Sequence, residues 1–528
     1  MPRTLAPALL ATTLTLLAQI QTRPPTKPLP TPQKDTTLTK DQAKDLLRSV
    51  DEILHFVSAD TGLPIQHTVK RRLISRDEVN QILQKKFSED ESARRMERSE
   101  LVLKKMGLLD RDFQLRPFLL SLLTEQIAGF YDNKTKTVNL LSWISPEEQK
   151  PVLAHELTHA LQDQRVDLQK WGDVPLSDIS RNAPDDIRHI QLDEQDTART
   201  AVAEGQAMVA FLDFSLRSSG KTVADLPAFT DHLDDLSAAN SSGSSSSPVL
   251  ARAPLLLQQS LLFPYNEGLA FEQAVLLKKG KEAAFSGVLA HPPTTSSEIL
   301  HPAVYLAHTP PPILLLPDIH PLLDPTYAPY DIGAIGELDT RILTELFGGR
   351  EMSAALTPNW NGGLYYAAQR RASTAAEKLT PGSLAFFYLS RWKNADSARS
   401  FLELYTAELP RRYISLSPRQ TNDPNDPDDE QIYTTAEGDI LVARSGNLVF
   451  VSEGFPQALA QKLRDTVESI QTTGPFLNAA TTPTHETPNQ ETTTQEPSLT
   501  LARTLQHLVP LHPQTSKRYT LAWHTPHL

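Results

Sequence analysis

The chain has no cysteine anywhere in its 528 residues. Disulfides, thiolate nucleophiles, cysteine-ligated metal sites and lipoprotein anchors are therefore excluded. The same absence suits a chain exported without disulfide chemistry. A basic excess is also missing: 51 Lys and Arg stand against 63 Asp and Glu, a net charge of −12. With no basic stripe and no alternation of basic and aromatic residues, the footprint of a nucleic-acid binder is absent. Arg71-Arg72 and Arg94-Arg95 read instead as solvated helix faces. Beyond the N-terminus, no apolar run approaches the roughly 20 residues needed to cross a bilayer, so the mature chain is expected to have no membrane span.

The N-terminus carries the one export signal. Met1-Pro-Arg3 is a short basic start, and Leu5 to Ala18 is an apolar stretch of signal-peptide length. Residues 1–18 are therefore expected to be a signal peptide and the protein to be periplasmic or extracellular. Leu16 is a poor fit to the −3 position of a cleavage site, which leaves a disordered apolar start or a retained N-terminal anchor as the alternatives.

The most informative residues are His155-Glu156-Leu157-Thr158-His159. On a helix, positions i and i+4 share a face, so both imidazoles can reach one metal ion. Glu156 follows the first His directly, placing a carboxylate beside the open coordination position. This is the H-E-x-x-H logic of a zinc peptidase: two nitrogen ligands and a general base. Leu153, Ala154, Leu157, Ala160 and Leu161 supply apolar flanks, so the helix is expected to be packed rather than free.

A catalytic zinc usually keeps three protein ligands and one exchangeable site. Asp196 to Leu212 is an Ala-rich apolar run interrupted by Glu204, and a buried carboxylate is costly unless paired or metal-bound. Glu204 is the expected third ligand; a Glu paired with Arg199 or Arg217 is the alternative. Gly205 beside it would let another backbone approach closely.

Several segments together resemble a family of bacterial gluzincin-type zinc metallopeptidases. They are Gln126 to Leu141, His155 to Gln164, Val202-Ala-Glu204-Gly205, Phe263-Pro-Tyr-Asn-Glu-Gly268 and Pro292 to Pro302. Weaker matches, Trp360-Asn-Gly-Gly363 and Trp392 to Asp396, extend it into the C-terminal half. The resemblance implies ligands at His155, His159 and Glu204 and a base at Glu156. One departure stands out: where relatives often carry Asp two residues after the third ligand, this chain has Gln206. Any orienting role of that Asp must then be weaker or come from another residue.

Pattern along the chain gives an α+β fold class: a mainly helical zincin-like domain with a short β-hairpin, then a small α+β domain. The boundaries read as a Pro/Thr-rich linker over 19–37, a peptidase domain over 38–308, a Pro-dense linker over 309–330, a C-terminal domain over 331–471 and a disordered tail over 472–528. Within the peptidase domain, 236–253 is a Ser-rich flexible insertion. Helices are expected over 40–58, 76–87, 92–106, 117–127 and 255–280, with a hairpin at 129–141 that can line the cleft or merely cap the helices. The C-terminal unit shows helices at 336–347, 395–409 and 456–470, and strands near 364–369, 383–390, 440–443 and 448–451. The acidic run Asp423 to Glu430 lacks EF-hand spacing and reads as a solvated loop.

The expected activity is zinc-dependent hydrolysis of a protein or peptide substrate, with Glu156 as general base. The competing reading is an inactive, zinc-stabilised pseudo-peptidase acting as an interaction module. A closed structural site would need a fourth ligand such as His189 or His291. The C-terminal unit, with aromatics but no catalytic constellation, is expected to serve recognition or stability. For the oxyanion donor, His301 is the expected residue, with His291, Tyr265 and Tyr305 as competitors.

Overall fold

The computed structural model describes residues 38–88, 90–127, 129–172, 182–231, 248–420 and 429–471. The expected signal peptide over 1–18, the expected 19–37 linker, most of the 236–253 stretch, most of the acidic run and the 472–528 tail lie outside the described residues.

The chain is α+β, with helices dominating its first part. Lys40–Thr61 opens the described fold, starting at a capping box in which Thr39 and Gln42 bond each other's backbone amides. Leu46, Val50, Ile53, Leu54 and Val57 form its buried stripe, the i, i+3, i+4, i+7 spacing that made it legible. Helices Arg76–Ser88, Asp90–Lys105 and Leu115–Gln126 follow close to their expected places.

The 129–141 hairpin is present: β2 (Phe130–Asp132) pairs antiparallel with β3 (Thr137–Leu141) around a turn in which the Asp132 carboxylate accepts from the Lys134 amide. A third strand, β1 (Lys70–Ile74), pairs parallel to β3, giving the order β1-β3-β2. Arg71 and Arg72 thus lie on a strand and not on the expected helix face. Their side chains reach Asp51 and Asn139, and only the end of the strand is buried.

The second part is built on a seven-stranded antiparallel sheet of order β4-β5-β6-β10-β9-β8-β7. Its strands are β4 (Tyr327–Ala334), β5 (Trp360–Arg370), β6 (Leu384–Trp392), β7 (Ser417–Gln420), β8 (Gln431–Thr435), β9 (Gly438–Ser445) and β10 (Leu448–Glu453). Both faces are covered, so the central strands read as unbroken apolar runs. On β6, Leu384, Phe386 and Tyr388 join the core shared with the helices, whereas Ala385, Phe387 and Leu389 join a second core. Helix Gln457–Glu468 closes that second core, together with Leu314, Leu316, Ile319 and Leu323 from the Pro-dense stretch. The stretch expected as a linker is therefore packed through these residues. Helices Glu337–Leu356 and Ala395–Arg412 lie on the other face and contribute to the core that also holds Leu46 and Leu153.

The site is positioned by three long helices. Pro146–Val166 carries both histidines, Gln195–Leu216 carries Glu204, and Leu255–Lys279 packs behind the latter. Ser145 caps the first, accepting from the Glu148 amide, with Pro146 in the first turn where its missing N–H costs nothing. A Cβ on Gly205 would run into the carbonyl of Gly268, and one on Gly268 into that of Ala201. Those two glycines let the second and third helices meet backbone to backbone.

Candidate metal centre

His155, His159 and Glu204 converge. Their ligand atoms lie within 4.8 Å of one another, and all three side chains are buried. His155 Nε2 is 3.0 Å from Glu204 Oε2 and 3.0 Å from His159 Nε2, and His159 Nε2 is 3.4 Å from the same carboxylate oxygen. The two histidines come from one helix face, as their spacing requires, and Glu204 faces them from the neighbouring helix. Neither Arg199 nor Arg217 takes Glu204; Arg199 donates to the Trp171 carbonyl and Arg217 to that of Phe214.

Electrostatics bind the three into one unit. Burial alone would push Glu204 up, but the His159 charge and hydrogen bonds from both imidazoles hold its carboxyl far below the usual carboxylate range. For His159, burial works against the charged form, yet Glu204 outweighs it and raises the imidazole to about 9. The group thus favours a cation among its members, and a divalent metal suits it, since two imidazole nitrogens and a carboxylate oxygen are a suitable donor set.

Glu156 is completely buried and is not a member of the ligand group. Its Oε2 accepts from the Tyr131 amide of β2 at 2.6 Å. The strand is tied to the same helix a second time, because the Tyr131 hydroxyl donates to Asp163 Oδ2 at 2.7 Å and Lys136 Nζ reaches that oxygen at 2.6 Å. Asp163 lies one turn beyond His159, so β2 is tied to the helix that carries Glu156 and both histidines.

A second layer backs the ligands, and Gln206, which stands where relatives often carry Asp, belongs to it. His159 Nδ1 is 2.9 Å from Gln162 Oε1, and Gln162 Nε2 donates to Gln206 Oε1 at 2.9 Å and to the Ala203 carbonyl at 3.0 Å. The orienting partner of His159 is thus Gln162, with Gln206 behind it. Glu272, fully buried on the third helix beside Gln206, is pushed well above the usual carboxylate range by burial, against a hydrogen bond from Gln206. No charge anomaly in the sequence marks these amides out.

His301 is not brought into the group. Its Nε2 sits 2.7 Å from Glu337 Oε1 at the start of another helix, and its side chain is 47% exposed. Among the competitors, Tyr265 has its ring over that of His155, centroids 6.3 Å apart and planes 28° from parallel. Tyr305 donates to the His291 carbonyl. His189 does not act as a fourth ligand; it faces Asp193 at 3.7 Å. Among the described residues no fourth His, Asp or Glu joins the ligand group.

Comparison with family models, curated proteins and solved structures returns no match.

Proposed function

We propose that the protein is a zinc-dependent metallopeptidase of gluzincin type, hydrolysing protein or peptide substrates. The observation that carries this reading is a three-ligand group, His155, His159 and Glu204, with no fourth ligand among the described residues and with Glu156 adjacent but outside the group. Zinc ligands at roughly 2.0–2.1 Å in tetrahedral arrangement stand about 3.3 Å apart. The separations of 3.0, 3.0 and 3.4 Å fit that spacing within a few tenths of an ångström. When bound there, zinc supplies Lewis-acid polarisation of the scissile carbonyl and acidifies water.

The chain's own residues do the rest. Glu156 takes a proton from the attacking water and delivers it to the departing amine. The Tyr131 amide holds that carboxylate in place beside the ligand group. Tyr265 is assigned the oxyanion role in place of His301, because its ring lies over His155 while His301 is engaged by Glu337. The apolar N-terminal segment supports action in the periplasm or outside the cell.

One observation favours a second reading, zinc as a staple in an inactive interaction module: His155 and Glu156 are 0% exposed and His159 and Glu204 only 6% and 7%. The test is metal analysis joined to proteolysis of an unfolded protein substrate. Stoichiometric zinc with measurable proteolysis, and a Glu156→Gln variant that keeps zinc but loses roughly 10²–10⁴ in rate, supports the peptidase. Zinc without proteolysis supports the staple, and a native protein that takes up no metal overturns both. Tyr265→Phe should lower kcat by about 10²–10³ with zinc retained.

A further inference from the structure

Behind the ligand face, four buried hydrogen bonds run in one direction. Gln206 Nε2 donates to the carbonyls of Ala284 and Phe285 at 2.9 and 3.1 Å. These carbonyls belong to a single π-helical turn, Ala283–Gly287, in which the carbonyl-to-amide register is shifted by one residue. Backbone carbonyls only accept, so they fix which end of the Gln206 amide faces them. Its Oε1 must then face Gln162, whose Nε2 donates to it at 2.9 Å and to the Ala203 carbonyl at 3.0 Å. The Gln162 amide is thereby fixed as well, and its Oε1 is the atom 2.9 Å from His159 Nδ1. An oxygen there accepts, so Nδ1 must carry hydrogen. A neutral imidazole with hydrogen on Nδ1 has its lone pair on Nε2, the atom that faces His155 and Glu204.

We propose that Gln162 and Gln206 are positioning residues that set the ligating tautomer of His159, with the Ala284 and Phe285 carbonyls as the fixed end of the relay. Both amides are 0% exposed, so water does not substitute for a missing member. The inference rests on the metal reading of the site and deepens it. The relay itself is made of amides and carbonyls, and the one carboxyl at its far end, Glu272, is buried and hydrogen-bonded by Gln206, with burial disfavouring its charged form. Loss of Gln206 would leave the Ala203 carbonyl as the one acceptor still holding the Gln162 amide, so that rotation presenting its NH₂ group to Nδ1 becomes easier. That arrangement favours hydrogen on Nε2, which cannot ligate.

The experiment is competitive titration of the full chain with zinc alone, together with nitrogen-15 histidine NMR of the zinc-loaded protein. Gln206→Met, of similar length and without the amide, should weaken zinc binding by roughly 10–100-fold. It should also speed solvent exchange of the His159 Nδ1 hydrogen, while the His155 resonances hold. Gln162→Leu, which removes the acceptor itself, should weaken zinc binding to a similar degree and provides the reading if Gln206→Met does not fold. A folded variant of either kind with wild-type zinc affinity and unchanged His159 exchange overturns the relay alone. A wild-type chain that binds no zinc overturns the metal reading, and the relay with it.

Discussion

Two buried polar clusters sit along the Gln195–Leu216 helix, one at its middle and one at its start, and they behave oppositely. Around Glu204, the carboxylate is held low and an imidazole high, because each has an oppositely charged partner in contact. Around the helix start, no cation offsets burial at Glu194 or Asp339, and at Asp331 the His189 and Arg98 charges lower the carboxyl less than burial raises it. Burial raises Glu194 to about 8 against hydrogen bonds from Ser296, and raises Asp331 and Asp339 to about 7. Their partners are neutral donors: Ser296 for Glu194, the Tyr365 hydroxyl for Asp331 and the Gly336 amide for Asp339. Burial is common to both clusters; what separates them is convergence of unlike donors on one point. Perturbed ionisation alone would have flagged the acid cluster as readily as the metal centre, yet among the described residues only the latter forms a ligand group.

The sharpest way to break this comparison is to remove Glu204. Glu204→Gln keeps the shape and removes the charge, so the site loses its only anionic ligand. Zinc at a hundred to a thousand times its Kd should stabilise the wild-type protein by about 3–4 kcal/mol, and this increment should vanish in the variant. Thermal melts with and without zinc read it directly. An equal zinc-induced rise in Tm in both proteins would mean that the metal binds elsewhere.

Next in size is the pH dependence of the acid cluster. A carboxyl raised in the folded state stays protonated after its unfolded counterpart has ionised. Its contribution is complete below the ordinary carboxylate range, and is lost as pH rises towards about 8 for Glu194 and about 7 for Asp331 and Asp339. Stability of the wild type should therefore fall between pH 5 and pH 8. Glu194→Gln has no proton to lose and should flatten the slope by on the order of a few kcal/mol across that window. Denaturant titrations at four pH values decide it, and parallel slopes for the two proteins would refute the assignment.

How much of this was legible follows from the range of each interaction. His155, Glu156 and His159 need only helical periodicity, which the local sequence dictates. Glu204 could be found because a charge inside an apolar run is a local anomaly. Core strands such as β6 announced themselves by unbroken apolar runs. By contrast, β1 was missed because Lys70, Arg71 and Arg72 are exposed at a sheet margin. Strand β4 was missed because Pro329 sits in it, beside a register shift between Pro329 and Asp331. Gln162 and Gln206 are neutral amides whose role exists only once three helices and a π turn meet. That meeting is tertiary: the place of Gln206 two residues after Glu204 marks the position, but nothing in the chain points to Gln162 as its partner.

The smallest expected effect belongs to His301, which lies between the two clusters in character. Like His159 it is an imidazole paired with a carboxylate, here Glu337 at 2.7 Å, and the hydrogen bond to that partner raises it against the opposing effect of burial. Unlike His159 its side chain is 47% exposed, so solvent screens the pair and little of the raised ionisation becomes stability. The pair should be worth under about 1 kcal/mol at low salt. By the sign of the shift, that contribution is present below the ordinary histidine range and lost as pH rises through the folded value. His301→Ala should accordingly lower stability slightly at pH 6 and negligibly at pH 9. Zinc affinity and kcat should stay at wild-type values, because the ring is committed to Glu337 and not to the ligand group. A fall in kcat of a hundredfold with zinc retained would return the oxyanion role to His301 and remove it from Tyr265.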